Sequence, residues 1–190
     1  MDRRQRIANA GIALIARGGT HRLTHRAVDT EAGLPNGSTS YYARSRRDLI
    51  RLVMEQLSAE SQADLTDIEV PGKLTVRQAT DLVGRLAERL ILNGDAQAAR
   101  FALMFEVRDD DELRRELTVD APVRRSFDEK AIELLRALGV TDPKEKAPEF
   151  VALVDAVLMY RAVDAAPIDP AGVVGTYLTG LVRQKPTAAR

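Results

Sequence analysis

The chain has 190 residues, 45% of them hydrophobic, with 28 basic side chains against 28 acidic ones and no cysteine. That apolar content can fill a sizeable core, as one unit or as a small domain followed by a larger one. No run reaches the ~18 apolar residues of a membrane span, and the missing cysteines exclude disulfides and thiolate metal sites, as suits a cytoplasmic protein.

The zero net charge hides an asymmetry. Residues 1–55 hold ten Arg, no Lys and five acids, a balance of +5; the remainder holds 18 basic and 23 acidic residues, a balance of −5. Guanidinium groups grip phosphates and base edges through two parallel N–H groups. The expected partner of the N-terminal part is therefore nucleic acid.

In chain order, residues 2–17 form the first expected helix, with Ile7, Ala10, Gly11, Leu14 and Ile15 on one face and Gly18-Gly19 as its stop. Arg3, Arg4 and Arg6 before an apolar stretch imitate a secretory leader. However, Asn9 interrupts the stretch and Arg17-Gly-Gly replaces a cleavage site. The segment reads as an amphipathic brace, with Arg3 and Arg4 as candidates for an arm along the DNA backbone or minor groove.

Residues 23–49 are the most informative stretch. Thr24 is placed to N-cap a helix with Ala27, Val28 and Ala32 on its apolar face, and Gly33 to end it in a left-handed conformation. Leu34 plugs the turn, and Pro35 opens a second helix over residues 35–42 that is almost wholly hydroxyl, amide and phenol. A helix so short and polar has to be propped on a scaffold, with its outer face free for a partner. Helix, glycine turn and short polar helix make a helix-turn-helix, whose second helix enters the major groove. Asn36, Thr39 and Ser40 are the expected base-edge contacts. Tyr41, Tyr42, Thr24 and Arg46 are the expected phosphate contacts. A surviving alternative is a helix-turn-helix scaffold that serves only as an interaction or ligand-binding module.

The stretch resembles the DNA-binding unit of the tetracycline-repressor (TetR) family of bacterial transcriptional regulators, in an actinobacterial-like variant. The matching residues are Thr24, Arg26, Ala32-Gly33-Leu34, Gly37-Ser38, Ser45-Arg46 and Leu49. Ala43 stands where the family carries a packing Phe. The resemblance implies that Tyr41 lies along the DNA backbone and that Arg46 takes the place of a phosphate-holding Lys. Arg26 and Ser38 belong to the expected DNA-binding set, and His21 and His25, beside the motif, read as phosphate contacts or as plain surface. It also implies an all-α fold of about nine helices. Residues 1–50 would form the helix-turn-helix domain and 51–190 a helical ligand-binding and dimerisation domain, linked by a helix over residues 46–68.

Ser45 and Asp48 start that linking helix in capping-box fashion, with Leu49, Ile50, Val53, Met54 and Leu57 inward and Pro71-Gly72 as its end. A second capping box, Thr75 with Gln78, opens the next helix, which Asn93-Gly94 closes; Asp95 is placed to cap its successor. The acid run Asp109–Glu112 fits a helix start better than a metal site. Residues 111–138 read as one helix kinked at Pro122. Asp142-Pro143 opens another, with Pro148 offering a second starting point, and Asp169-Pro170 caps the last. The end after Arg183 is expected to fray.

The terminal pair of helices is apolar on more than one face. Leu153, Val154, Val157, Leu158, Tyr177, Leu178 and Leu181 are expected to pack against a second copy in an isologous interface, with Gly172, Gly175 and Gly180 allowing close approach. The resemblance implies a small-molecule effector site in the second domain. Phe101, Met104, Phe105, Phe127, Leu158 and Met159 suit an apolar ligand, with Arg108, Asp155 and Tyr160 as its polar groups. Neither His21 nor His25 has a clustered carboxylate at ligand spacing, so no catalytic, metal or cofactor site is expected.

Overall fold

A computed structural model describes residues 1–183; the expected fraying lies outside the described residues. Ten α-helices and a 3-10 turn over Thr20–Arg22 make up the regular structure, and no strand occurs among the described residues. The all-α expectation holds, with one helix more than expected. The additional helix comes from Pro122. Residues 111–138 are two helices, α7 (Asp111–Leu117) and α8 (Pro122–Ala137). Proline at the first helical position lacks only an N–H that would have had no partner there, so Pro122 starts a helix rather than bending one. Pro148 behaves differently. It lies inside a single helix, α9 (Pro143–Ala162), near its N-terminal end, and neither breaks it nor begins it.

The chain folds into two compact units, each assembled from two separate stretches. The first comprises Met1–Gln62 and Asn93–Val123; the second comprises Ala63–Leu92 and the residues from Arg124 onward. In the first unit, α1 (Arg3–Gly18) packs against α2 (His25–Glu31) and α6 (Gly94–Glu106), and α2 against α3 (Ser38–Tyr42). Its core contains Ile7, Ile15, Val28, Leu49, Val53 and Leu103. Gly11 is needed where α1 meets α4 (Arg46–Thr66): a Cβ there would lie 2.5 Å from a Val53 methyl.

Most of the expected caps form. Asp48 and Ser45 exchange hydrogen bonds at the start of α4, and Thr75 and Gln78 do so before α5 (Val76–Leu92). Asp169 accepts from the Ala171 and Gly172 amides at the start of α10 (Pro170–Arg183). Asp95 does not cap α6. That helix begins at Gly94 with Asn93 as the cap residue, so α5 and α6 follow one another with a single residue between them.

In the second unit, α10 packs along α5 and α9. Leu178 is wholly buried there, and Leu181 and Val157 nearly so. These three were expected at an interface between copies but fill this unit's interior. Gly175 likewise serves an approach within the chain, because a Cβ there would lie 3.2 Å from the Thr80 hydroxyl of α5. Tyr177 stacks on Phe150 with ring centroids 6.0 Å apart. Leu178→Ala is therefore expected to cost about 2–5 kcal/mol by leaving a cavity. Leu92→Ala, at a side chain 88% exposed at the end of α5, should stay within about 0.5 kcal/mol. Urea unfolding of the two variants checks the contrast.

Candidate nucleic-acid interface

The short polar helix is held by a residue the sequence reading passed over, Asp29. It lies in α2, 1% exposed. One carboxylate oxygen accepts from the Gly37 amide at 2.7 Å. The other accepts from the Thr39 amide at 2.7 Å and the Thr39 hydroxyl at 2.6 Å. These groups belong to the start of α3, whose amides would otherwise have no partner. Burial raises the Asp29 pKa, but the Thr39 hydroxyl and the two amides together outweigh it and hold the carboxyl below its ordinary value. At the other end of α3, His25 Nε2 donates to the Ala43 carbonyl at 2.8 Å. Two side chains of α2 thus fix both ends of a five-residue helix.

Several expectations change on this frame. Helix α3 begins at Ser38 and not at Pro35, because Gly37 takes a left-handed conformation, φ 91°, as its cap residue. Residues 35–37 form the turn. Thr39, expected at a base edge, is fully buried and spends its hydroxyl on Asp29. His25, expected to meet phosphate or to lie on the surface, is half-buried and braces Ala43 instead. Ala43 is itself buried, 1% exposed, so a methyl group occupies the family's Phe position. Thr24 caps α2 as expected, accepting from the Ala27 amide at 3.2 Å, and stays exposed. Gly33 is left-handed as expected, φ 62°.

The outer face carries Asn36, Ser40, Tyr41 and Tyr42, none of whose polar side-chain atoms has a hydrogen-bond partner among the described residues. Ser38 is half-buried and donates to the Pro35 carbonyl. Tyr41 projects furthest, 82% exposed, with its ring edge-on to Tyr42 at 5.1 Å. Arg26, in α2, and Arg44, two residues past the end of α3, are exposed and unpaired among the described residues.

Other arginines of the basic half are committed within the first unit. Arg4 pairs with Glu55, and Arg6 donates to the Ala32 carbonyl. Arg46 donates to the Leu23 and Thr20 carbonyls and to Glu106 at 2.7, 2.9 and 2.8 Å. Arg47 takes Asp110 in a two-pronged grip and also reaches Glu112, while Arg51 holds Glu116 and Glu112. Asp110 caps α7 as expected of the acid run, and Arg47 holds its carboxyl well down, to about 2.

The second unit contains a hollow of about 600 Å³, counted out to its open mouth. Phe127, Leu134, Phe150, Val151, Val154 and Leu158 are among its apolar lining, and Lys130 and Asp155 are its charged groups. Phe127, Asp155 and Leu158 were expected around a ligand and lie on its wall; Met159 and Tyr160 do not. Phe101, Met104, Phe105 and Arg108 belong to the first unit and are no part of this hollow. Phe101 is buried beneath the Arg100 guanidinium, 4.3 Å from the ring centre, whereas Phe105 is 66% exposed. Among the described residues no group of acids and histidines could hold a metal ion, and no helix is long and apolar enough to cross a membrane.

Residues 74–184 match the sequence family described as the tetracyclin repressor-like C-terminal domain. The chain belongs to the TetR family of transcriptional regulators. Solved structures agree over nearly its whole length. A TetR-family member from Streptomyces coelicolor A3 is 26% identical with a TM-score of 0.69, covering 97% of this chain and 100% of that one. A transcriptional regulator from Rhodococcus sp. Rha1, 13% identical, superposes with a TM-score of 0.77 over 96% of this chain and 97% of its own. The multidrug binding protein EbrR, in complex with ethidium, is 27% identical with a TM-score of 0.64, covering 96% of this chain and 100% of that one. A comparison with curated proteins gives no match.

Replacing Asp29 tests the frame of this TetR-family helix-turn-helix. Asp29→Ala leaves two amides and a hydroxyl without their acceptor and is expected to cost about 2–4 kcal/mol; Asp29→Asn, which turns an amide N–H towards Gly37, about 1–2 kcal/mol. The folded pKa lies below the ordinary 3.8. The unfolded chain therefore takes up the proton first as pH falls. The stabilisation is complete above that ordinary value and disappears as pH drops through the depressed one. Urea midpoints at pH 7 and in the acid range should show Asp29→Asn losing less stability on acidification than the parent.

Proposed function

We propose that the protein is a cytoplasmic, one-component repressor that binds a palindromic DNA operator as a homodimer and is released by a small apolar effector. The observation that carries the DNA reading is the outer face of the turn and α3, where Asn36 of the turn and Ser40, Tyr41 and Tyr42 of a helix fixed at both ends leave their polar atoms without hydrogen-bond partners among the described residues. Asn36 and Ser40 are assigned to base edges, and Tyr41, Tyr42, Thr24, Arg26 and Arg44 to phosphates. In functional terms residues 1–50 are the DNA-binding domain and the remainder the effector and dimerisation domain, joined covalently by α4.

For the dimer, the buried Val157, Leu178 and Leu181 give way to the outer sides of α9 and α10. Leu153, Ala156 and Tyr160 follow helical spacing along α9 and Val163 stands just past its end, with Tyr160 and Val163 44% and 63% exposed, and Val182 is exposed on α10. Two-fold symmetry then sets half-sites about 34 Å or a little more apart.

DNA selected from a random pool should be palindromic, and binding should weaken steeply with salt. Arg44→Ala should weaken it for all sequences and flatten the salt slope by about 1, whereas Ser40→Ala should relax sequence preference. The parent should sediment as a dimer at micromolar concentration and Val163→Asp as a monomer. A parent that binds DNA without sequence preference would leave only the interaction-module reading.

The hollow in the second unit supports the effector reading, as do the structures of the similar multidrug binding protein EbrR in complex with proflavin and with ethidium. Naphthalene, an uncharged aromatic, at saturating concentration should raise the melting temperature by several degrees and release operator, and Leu86→Trp, in the wall of the hollow, should abolish both. Stabilisation without loss of operator affinity would break the coupling, because control requires unequal affinity for the two states.

A further inference from the structure

Arg46 is the first residue of α4, and its guanidinium binds the carbonyl of Leu23, the residue before Thr24, the cap of α2. In a helix-turn-helix that edge runs along the DNA backbone. Yet this cation is already answered. Glu106, the last residue of α6, presents one carboxylate oxygen to Arg46 Nη2 at 2.8 Å and the other to the Thr20 hydroxyl at 2.8 Å. An anion held by one guanidinium N–H and one hydroxyl is the arrangement a backbone phosphate oxygen pair would adopt. Three donors of Arg46 are used on Leu23, Thr20 and Glu106, and the side chain is still 43% exposed. The fork is therefore fixed and reachable, but its charge is cancelled.

We propose that Glu106 is an internal competitor of the DNA backbone: its carboxylate occupies the place of a phosphate on Arg46 and Thr20 and so holds operator affinity below what the recognition unit would otherwise reach. The proposal rests on the DNA-binding reading above. The neighbouring pairs of Arg47 with Asp110 and Arg51 with Glu116 do not share this role, because neither includes a hydroxyl or backbone group from the residues flanking α2. Opening the Arg46–Glu106 pair exposes one positive charge next to the helix-turn-helix. Each phosphate newly neutralised adds about 0.9 to the steepness of the salt dependence.

The test is operator binding as a function of salt for Glu106→Gln, which keeps an oxygen for Arg46 and removes the charge. Binding about tenfold tighter, with a slope steeper by about one, is expected. Binding within about twofold of the parent at an unchanged slope overturns the proposal. In an Arg46→Ala background the same Glu106→Gln change should lose most of its effect. An equal gain there would show general charge repulsion by Glu106, not competition for Arg46, and also overturns it. Glu106→Ala removes the carboxylate altogether, leaves the Arg46 guanidinium and the Thr20 hydroxyl free as donors, and should tighten binding by a similar factor. If Glu106→Gln fails to fold, this second variant decides the matter by the same two readings. A parent with no affinity for any DNA in a random pool defeats the DNA reading itself, a result distinct from salt-dependent binding that Glu106→Gln leaves unmoved.

Discussion

The hydrogen bonds from Gly37 and Thr39 to the buried Asp29 carboxylate are the constraint on which the candidate interface depends. A five-residue helix cannot persist alone, since its nucleation costs more than its few hydrogen bonds return. An ionised group in an apolar interior is also unfavourable unless its lone pairs are met. Each problem answers the other. The start of α3 needs acceptors and the carboxylate needs donors, so the turn and the helix that follows are fixed together. With His25 holding the far end at Ala43, the outer side chains of α3 can stay polar, exposed and unused by the fold.

Charge on the first unit follows a related logic. Arg46, Arg47 and Arg51 occupy the first two turns of α4, and all meet acids on the segment from Glu106 to Glu116. The pairs are partly exposed, so each contributes little to stability alone. Their larger effect is on the field. An excess of arginine in the sequence becomes a surface on which only some guanidinium groups face outward unpaired, among them Arg26 and Arg44. The effective footprint for an anionic partner is therefore smaller than the arginine count.

In the second unit the terminal helices do two things with one set of apolar residues. Val174, Leu178 and Leu181 close the interior against α5 and α9. Val151, Val154 and Leu158 face the hollow from α9. What remains outward is a thinner stripe with Tyr160, Val163 and Val182. A helix apolar on several sides is explained here mostly by burial within its own unit, and only the exposed residue set is left for a partner.

Local chemistry determined what the sequence could determine alone. Caps at Thr24, Ser45 with Asp48, Thr75 with Gln78, and Asp169 depend on atoms two or three residues apart, so their pattern survives in one dimension. The same holds for the left-handed Gly33 and for the 3.6-residue periodicity that makes the chain all-helical. Pairing across long separations left no such trace. Nothing local marks Asp29 as the anchor of Thr39, or Glu106 as the partner of Arg46 sixty residues away. Thr39 was misplaced for that reason: a threonine in a polar helix looks outward until the buried acceptor beneath it is known. Phe101 and Phe105 were grouped with Phe127 by residue type, and only the fold separates them into different units. Residue type and spacing fix which groups are available; tertiary packing decides which of them meet, because burial and charge pairing are settled by distances that the order of residues does not contain.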